Sequence, residues 1–162
     1  MYFAKNILPR IHERKPQARF MIVGSSPPAS IRNLASDRVI VTGSVEDVRP
    51  LLRKATVSVV PLRIAGGSRL KILEAFAAGI PVVSTSIGAE GLEVVPGTHL
   101  LIADDDPAFA ARCSELLESP SLGERLTRAA RCLTKEKYDW RSMSPLVEVG
   151  WERAMVGFAR RR

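Results

Sequence analysis

The stretch of this chain best equipped for chemistry opens as Pro61-Leu62-Arg63-Ile64-Ala65-Gly66-Gly67-Ser68-Arg69-Leu70-Lys71-Ile72-Leu73-Glu74 and runs on through Gly79-Ile80-Pro81 to Leu92. An apolar run that stops at Val60 is followed by a glycine-containing loop, and then by a helical pattern that Ser68 can cap and Gly79 can close. That order builds an anion site. The amides of Gly67, Ser68 and Arg69 would meet the ligand at the start of the helix, where the helix dipole favours phosphate and the glycines let the backbone approach closely. Arg63, Arg69 and Lys71 surround the same loop, and a diphosphate suits so many donors. Composition alone leaves a second reading of equal weight, in which these cations merely solvate a helix start. The stretch carries neither the GxGxxG fingerprint nor the GxxxxGK[ST] phosphate loop.

Glu74 separates the two readings. It lies about two turns into a helix with apolar positions at Leu70, Leu73, Ala77 and Ala78, so the pattern predicts a carboxylate near the core side. There it costs free energy unless it accepts good hydrogen bonds. The 2′ and 3′ hydroxyls of a ribose would donate them. The competing arrangement is an exposed Glu74 paired with Arg69 or Lys71, a weak surface ion pair.

The elements that must position this segment follow a βα alternation, the pattern of a parallel sheet with helices on both faces. Five short runs end at turn-formers or polar residues: Arg19–Val23 before Gly24, Val39–Val41 before Gly43, Val57–Val60 before Pro61, Pro81–Val83 before Ser84, and Leu100–Ala103 before Asp104-Asp105-Asp106. Helix starts are expected at Asp47 with Pro50, at Asp106 with Pro107, and at Ser121 with Glu124 as a capping box. Val147, Trp151, Ala154, Met155 and Phe158 recur at helical spacing, which predicts a terminal helix over about 141–160 laying one stripe across the domain or a neighbour. Tyr2 to Arg14 reads as a helix, although a βα array normally opens with a strand. The expectation is a sheet that lacks its first strand.

The 162 residues, 46% apolar, fit one domain spanning 1–162. No run of about 18–20 apolar residues could cross a membrane, and the start lacks a secretory pattern. The cytoplasm is the default address. The net charge of +7 implies attraction to something anionic, which keeps a peripheral contact with an anionic membrane open. Nucleic acid is not expected, because no recognised motif and no basic stripe interleaved with aromatics is present. Arg160-Arg161-Arg162 reads as a solvated end. Cys113 and Cys132 have no metal-site spacing and read as reduced helix cysteines, and no metal is called for if cations and a helix end serve the phosphates. His99 reads as structural, and neither it nor His12 is placed for acid–base work on a sugar, which counts against an epimerase.

The order Gly66-Gly67-x-x-x-Lys71-Ile72-Leu73-Glu74-Ala75-x-Ala77-x-Gly79-x-Pro81-Val82-Val83-x-Thr85-x-x-Gly88-x-x-Gly91 resembles the signature of the retaining GT-B glycosyltransferases of the glycosyl transferases group 1 family. Weaker agreement runs from Ile7-Leu8-Pro9 through Ile22-Val23-Gly24 and Thr42-Gly43-Ser44-Val45 to Tyr138-Asp139-Trp140, covering nearly the whole chain. The resemblance implies a Rossmann-like, doubly wound α/β domain, the carboxy-terminal donor-binding half of such an enzyme. Glu74 matches the second glutamate of the family's E-x7-E motif, which holds the ribose. Gly67 to Leu70 match the loop whose amides meet the diphosphate, Gly24 and Ser25 match the loop after the second strand, and Gly43 to Val45 match the segment lining the base. Gly66 stands where the family has the first glutamate, which touches the donor sugar, and Arg69 stands where many members carry glycine.

The family's phosphate-clamping Arg and Lys and its amino-terminal acceptor domain have no counterpart in this sequence. The resemblance therefore implies a UDP- or GDP-linked sugar as ligand, no separate cofactor, unassigned catalytic residues, and little transfer by this chain alone. The rival class is a basic binding or interaction module derived from such an enzyme. An uncovered strand edge also leaves association with a second copy open.

Overall fold

A computed structural model describes residues 1–64 and 66–159, with side-chain surroundings omitted for 146, 152–154 and 156–159. The chain is an α/β unit of five parallel strands, β1 Phe20–Val23, β2 Val39–Gly43, β3 Ser58–Val60, β4 Val82–Ser84 and β5 Leu101–Ile102. They are linked or followed by helices α1 Leu8–Arg14, α2 Ala29–Arg32, α3 Arg49–Lys54, α4 Leu70–Ala78, α5 Ser86–Ala89, α6 Asp106–Glu118, α7 Pro120–Leu133 and α8 Trp140–Ala159. Two π-helical segments, Phe3–Ile7 and Thr134–Tyr138, lead into α1 and follow α7. Each strand is therefore found where the β-branched runs predict it, within two residues.

Alternation along the strands sorts the interior into two layers, as the period of two requires. Val59, Val83, Leu101 and Ala103 join Phe3, Ile7, Leu8, Ile11, Phe109 and Leu116, and Phe20, Ile22, Val39 and Val41 from β1 and β2 pack into this same layer. Val60, Val82, Leu100 and Ile102 turn the other way, against Ile72, Ala75, Phe76 and Ala130 of α4 and α7. Burying one such large apolar side chain contributes about 1.5–3 kcal/mol. Phe3 anchors the first layer, 4.6 Å from the Phe20 ring of β1 and 6.1 Å from the Phe109 ring of α6, so the amino-terminal segment is pinned to both elements.

The ladders run β2–β1 and β3–β4–β5, and among the described residues no pairing joins β1 to β3. A doubly wound sheet has the order 3-2-1-4-5-6. The two ladders match that order on either side of a break between β1 and β3. The exposure agrees: β4, flanked on both sides, is wholly buried, whereas β1 and the first two residues of β3 are only part-buried or exposed.

Helix ends depart from the expected caps by one or two residues. α6 is capped by Asp105, which accepts from the Ala108 amide at 2.8 Å, not by Asp106. α7 is capped by Ser119, not Ser121, because Pro120 takes the first helical position and holds the residue before it out of helical geometry. Asp47 accepts from the Arg49 amide at 2.9 Å, but Val48 occupies the cap of α3. In α8, Trp140, Val147, Trp151 and Met155 stand exposed and not laid on the core, while Ala154 and Phe158 lie outside the described side chains. Among the described residues no helix is long and apolar enough to cross a membrane.

The carboxyl ends of β3 and β4 are tied by hydroxyls. Thr85 donates to the Leu62 carbonyl and accepts from the Gly88 amide at 2.9 Å, and buried Ser84 donates to the Thr85 carbonyl at 3.0 Å. Asp104, after β5, accepts from the Ser86 hydroxyl and amide, both at 2.7 Å, which holds its carboxyl below the usual range. Gly88 is fitted so closely here that a Cβ would lie 2.4 Å from Ser84 Oγ and 2.9 Å from the Val60 carbonyl oxygen.

Two tests follow from this packing. Gly88→Ala forces backbone apart and should destabilise the fold by about 1–3 kcal/mol in urea unfolding; a change below ~0.5 kcal/mol would contradict the close fit. Burial pushes the Cys113 thiol up to about 12, whereas Cys132 is exposed. At neutral pH a thiol reagent should label one cysteine per folded chain, and Cys132→Ser should abolish that labelling.

Candidate functional site

The loop between β3 and α4 lines a hollow of about 390 Å³, walled by Val60, Pro61, Leu62, Gly66, Ser68, Arg69, Leu70, Lys71 and Gly88 among others. Of the residues singled out in the sequence, Gly66, Ser68, Arg69, Leu70 and Lys71 meet here. The hollow lies at the carboxyl ends of β3 and β4, beside the break in strand order, which is where open parallel sheets bind ligands.

The start of α4 is not capped as expected. Ser68 does not accept from the helix; Arg69 occupies the cap position in left-handed geometry, φ 55°, and no side chain caps the turn. The first turn closes through the Ile72 amide on the Arg69 carbonyl at 3.0 Å. Uncapped amides at a helix start are the donors an anion needs. At the other end Gly79 closes α4 as predicted, with φ 74° and its amide on the Ala75 and Phe76 carbonyls. Gly67, at φ 91°, makes the turn into Ser68 that a side chain would oppose.

Glu74 is a correction to the helical face inferred from sequence. The buried positions of α4 are Ile72, Ala75 and Phe76, while Leu70 is 59% exposed and Ala77 and Ala78 face solvent. Glu74 lies roughly opposite the buried stripe at 3.6 residues per turn. Its side chain is 46% exposed, with Lys71 Nζ on the carboxylate at 3.0 Å, and Glu74 is not among the residues lining the hollow. One oxygen thus stays available, and Lys71 links the carboxylate to the hollow's rim.

Arg69 is the most constrained side chain at the site. Its side chain is only 8% exposed; Nη1 donates to the Gly67 carbonyl at 2.9 Å and Nη2 to Glu90 Oε2 at 3.4 Å. Among the described residues Nε has no partner. Left-handed geometry costs a non-glycine residue about 1–2 kcal/mol, and an orphaned buried donor costs about 1–3 kcal/mol more. The partly exposed ion pair with Glu90 offsets at most about 1 kcal/mol. The Gly67 hydrogen bond offsets part of this cost, and the left-handed backbone and the orphaned donor remain as strain. Strain of this kind concentrates at functional sites.

The other sequence-stretch residues lie apart from the hollow. Arg63 is exposed with its guanidinium 5.2 Å above the Tyr2 ring, and the Tyr2 hydroxyl donates to Asp106, which raises the phenol pKa. This cluster, absent from the sequence reading, brings the start of the first helical segment to the carboxyl edge of the strands. Gly24 and Ser25 are exposed after β1; Gly43 ends β2 at φ 69°, with Val45 half-buried beyond it. Among the described residues no group of three or more His, Cys, Asp or Glu converges as a metal site would need.

Residues 1–119 match the family model described as glycosyl transferases group 1. The chain is 28% identical over 149 residues to a GDP-mannose-dependent mannosyltransferase acting on a phosphatidylinositol mannoside from Corynebacterium glutamicum, covering 84% of this chain and 39% of that protein. It is 29% identical over 147 residues to a Mycobacterium tuberculosis glycogen synthase, covering 85% and 35%. Among solved structures it resembles a sucrose-phosphate synthase from Thermosynechococcus elongatus, at TM-score 0.79 and 22% identity over 93% of this chain and 42% of that one. An Anabaena protein crystallised with UDP matches at TM-score 0.77 and 17% identity, covering 91% and 44%. The chain thus spans about two-fifths of the length of these proteins, and its fold is that of a GT-B glycosyltransferase domain. With the family model covering most of its residues and the glycine loop and uncapped helix in place, the chain belongs to the glycosyl transferases group 1 family.

Proposed function

We propose that this chain is the donor-binding, carboxy-terminal half of a retaining glycosyltransferase and that it holds a UDP- or GDP-linked hexose. The observation that carries the reading is the start of α4, where uncapped amides, Gly66, Ser68, Arg69 and Lys71 gather at one hollow beside the break in strand order. A diphosphate there would receive backbone N–H groups and side-chain cations. As the glycosidic bond to the leaving diphosphate breaks, charge develops on the phosphate oxygens, and preorganised donors stabilise it at little reorganisation cost.

Glu74, with a carboxylate oxygen free at the edge of the same helix, is the group proposed to accept from the ribose hydroxyls. Gly43, at the end of β2, and Val45 beyond it would border the base, and Gly24 and Ser25 lie in the loop after β1. Two of the proteins that this chain resembles carry nucleotide or nucleotide-sugar names, a GDP-mannose-dependent mannosyltransferase and a protein crystallised with UDP, which supports the ligand class. The acceptor would come from a second domain across a cleft, so the isolated chain binds donor without efficient transfer.

A second reading, a non-catalytic binding module of the same descent, is favoured by Gly66. At the position where the family's first glutamate would contact the donor sugar, this chain offers no side chain.

Thermal unfolding in the presence of UDP, GDP and ADP discriminates these readings. One nucleotide at about a hundred times its Kd should stabilise the chain by about 2.7 kcal/mol, and Glu74→Ala should remove most of that shift without lowering the ligand-free midpoint. Equal responses in both proteins would count against the ribose role, and no response to any nucleotide would favour the binding module.

A further inference from the structure

Arg69 and Glu90 lie 21 residues apart in sequence, on the loops after β3 and β4. The Arg69 side chain is more than nine-tenths buried, lines the hollow at the start of α4, and keeps one donor unpartnered. Glu90 is 72% exposed in its side chain, yet its backbone is fixed. It directly follows α5, whose Gly88 and Ala89 are buried and whose start is held by Thr85. One partner is thus committed to the hollow and the other reaches in from solvent. At 3.4 Å between Nη2 and Oε2, the contact is longer than a well-formed charged hydrogen bond.

Building on the donor-binding reading, we propose that Arg69 is the buried side-chain cation that this chain brings to the donor's phosphates and that Glu90 is its resident counter-ion, a carboxylate that an incoming phosphate displaces. A guanidinium has five N–H donors in a planar fork suited to two oxygens of a phosphate. Two of them are spent on Gly67 and Glu90. Left-handed backbone at residue 69 turns the side chain back over its own loop, which glycine would adopt freely and arginine adopts only under strain. The strain is retained because it places the fork at the helix start. Glu90 keeps the buried cation partly compensated and competes with an incoming phosphate. Lys71, 80% exposed and paired with Glu74, is the weaker, solvent-screened charge of the site.

Titration calorimetry of the 162-residue chain with UDP, GDP and inorganic pyrophosphate tests this assignment. Glu90→Gln should tighten binding of the preferred nucleotide and of pyrophosphate, by up to about fivefold, the gain from releasing an ion pair of surface strength. Arg69→Gly should weaken both by about tenfold or more while raising the ligand-free melting temperature, since it relieves the backbone and removes the orphaned donor. Glu115→Gln and Arg112→Ala, which make the same charge changes on the exposed face of α6, should alter neither. If Arg69 is only a pin between loops, Glu90→Gln and Arg69→Gly will both lower the melting temperature and leave affinity unchanged, which overturns the proposal while leaving nucleotide binding intact. If the unmodified chain binds none of the three probes, the donor-binding reading falls and this proposal falls with it.

Discussion

The site depends on one constraint, the fastening of the loop after β3 to the loop after β4 by the Thr85 hydroxyl. That oxygen both donates to the Leu62 carbonyl and accepts from the Gly88 amide, and only a glycine leaves room for it at residue 88. Strands paired side by side fix directions but do not fix the loops that leave their ends. The hydroxyl, with Ser84 beneath and the Asp104–Ser86 contact beside it, brings three strand ends to a common height. Remove the fastening and Pro61 to Arg69 would lose its floor, whatever the strength of the core below.

That core is divided so that each strand serves two layers. Odd-numbered residues of β3, β4 and β5 meet the first helical segment, α1 and α6; even-numbered ones meet α4 and α7. α4 is thereby pinned along Ile72, Ala75 and Phe76, which holds its amino terminus at the strand ends. On the first layer the same helices also carry β1 and β2, so the two ladders are held by a shared floor of Phe3, Ile7 and Phe109 and not by backbone pairing between β1 and β3.

Much of this was legible in the residues. Strands showed as short β-branched runs closed by glycine, proline or a polar residue, and Gly79 marked the end of α4 through its tolerance of left-handed backbone. Caps were harder. Ser119 and Ser121, or Asp105 and Asp106, are chemically equivalent one or two places apart, and the choice is settled only once Pro120 is placed at the first helical position of α7 and Pro107 at the second of α6. The face of α4 was misjudged because Leu70, Ala77 and Ala78 are apolar yet exposed; a helix with this many apolar residues has no unique stripe until the neighbouring strand chooses one. Contacts between distant residues had no local trace at all. Tyr2 meets Asp106 across 104 positions and Arg69 meets Glu90 across 21, and neither pairing follows from spacing within an element.

The account rests on the claim that the amides opening α4 receive a phosphate. Backbone-amide NMR of the chain titrated with inorganic pyrophosphate addresses this directly, since it reads each N–H separately. The expected result is saturable shifts concentrated at Gly66, Gly67, Ser68, Leu70 and Lys71, with the polar hollow of about 360 Å³ lined by Lys5, Asn6, Arg10 and Glu13 unmoved. Shifts centred on that second hollow, or spread evenly over the basic surface, would contradict it.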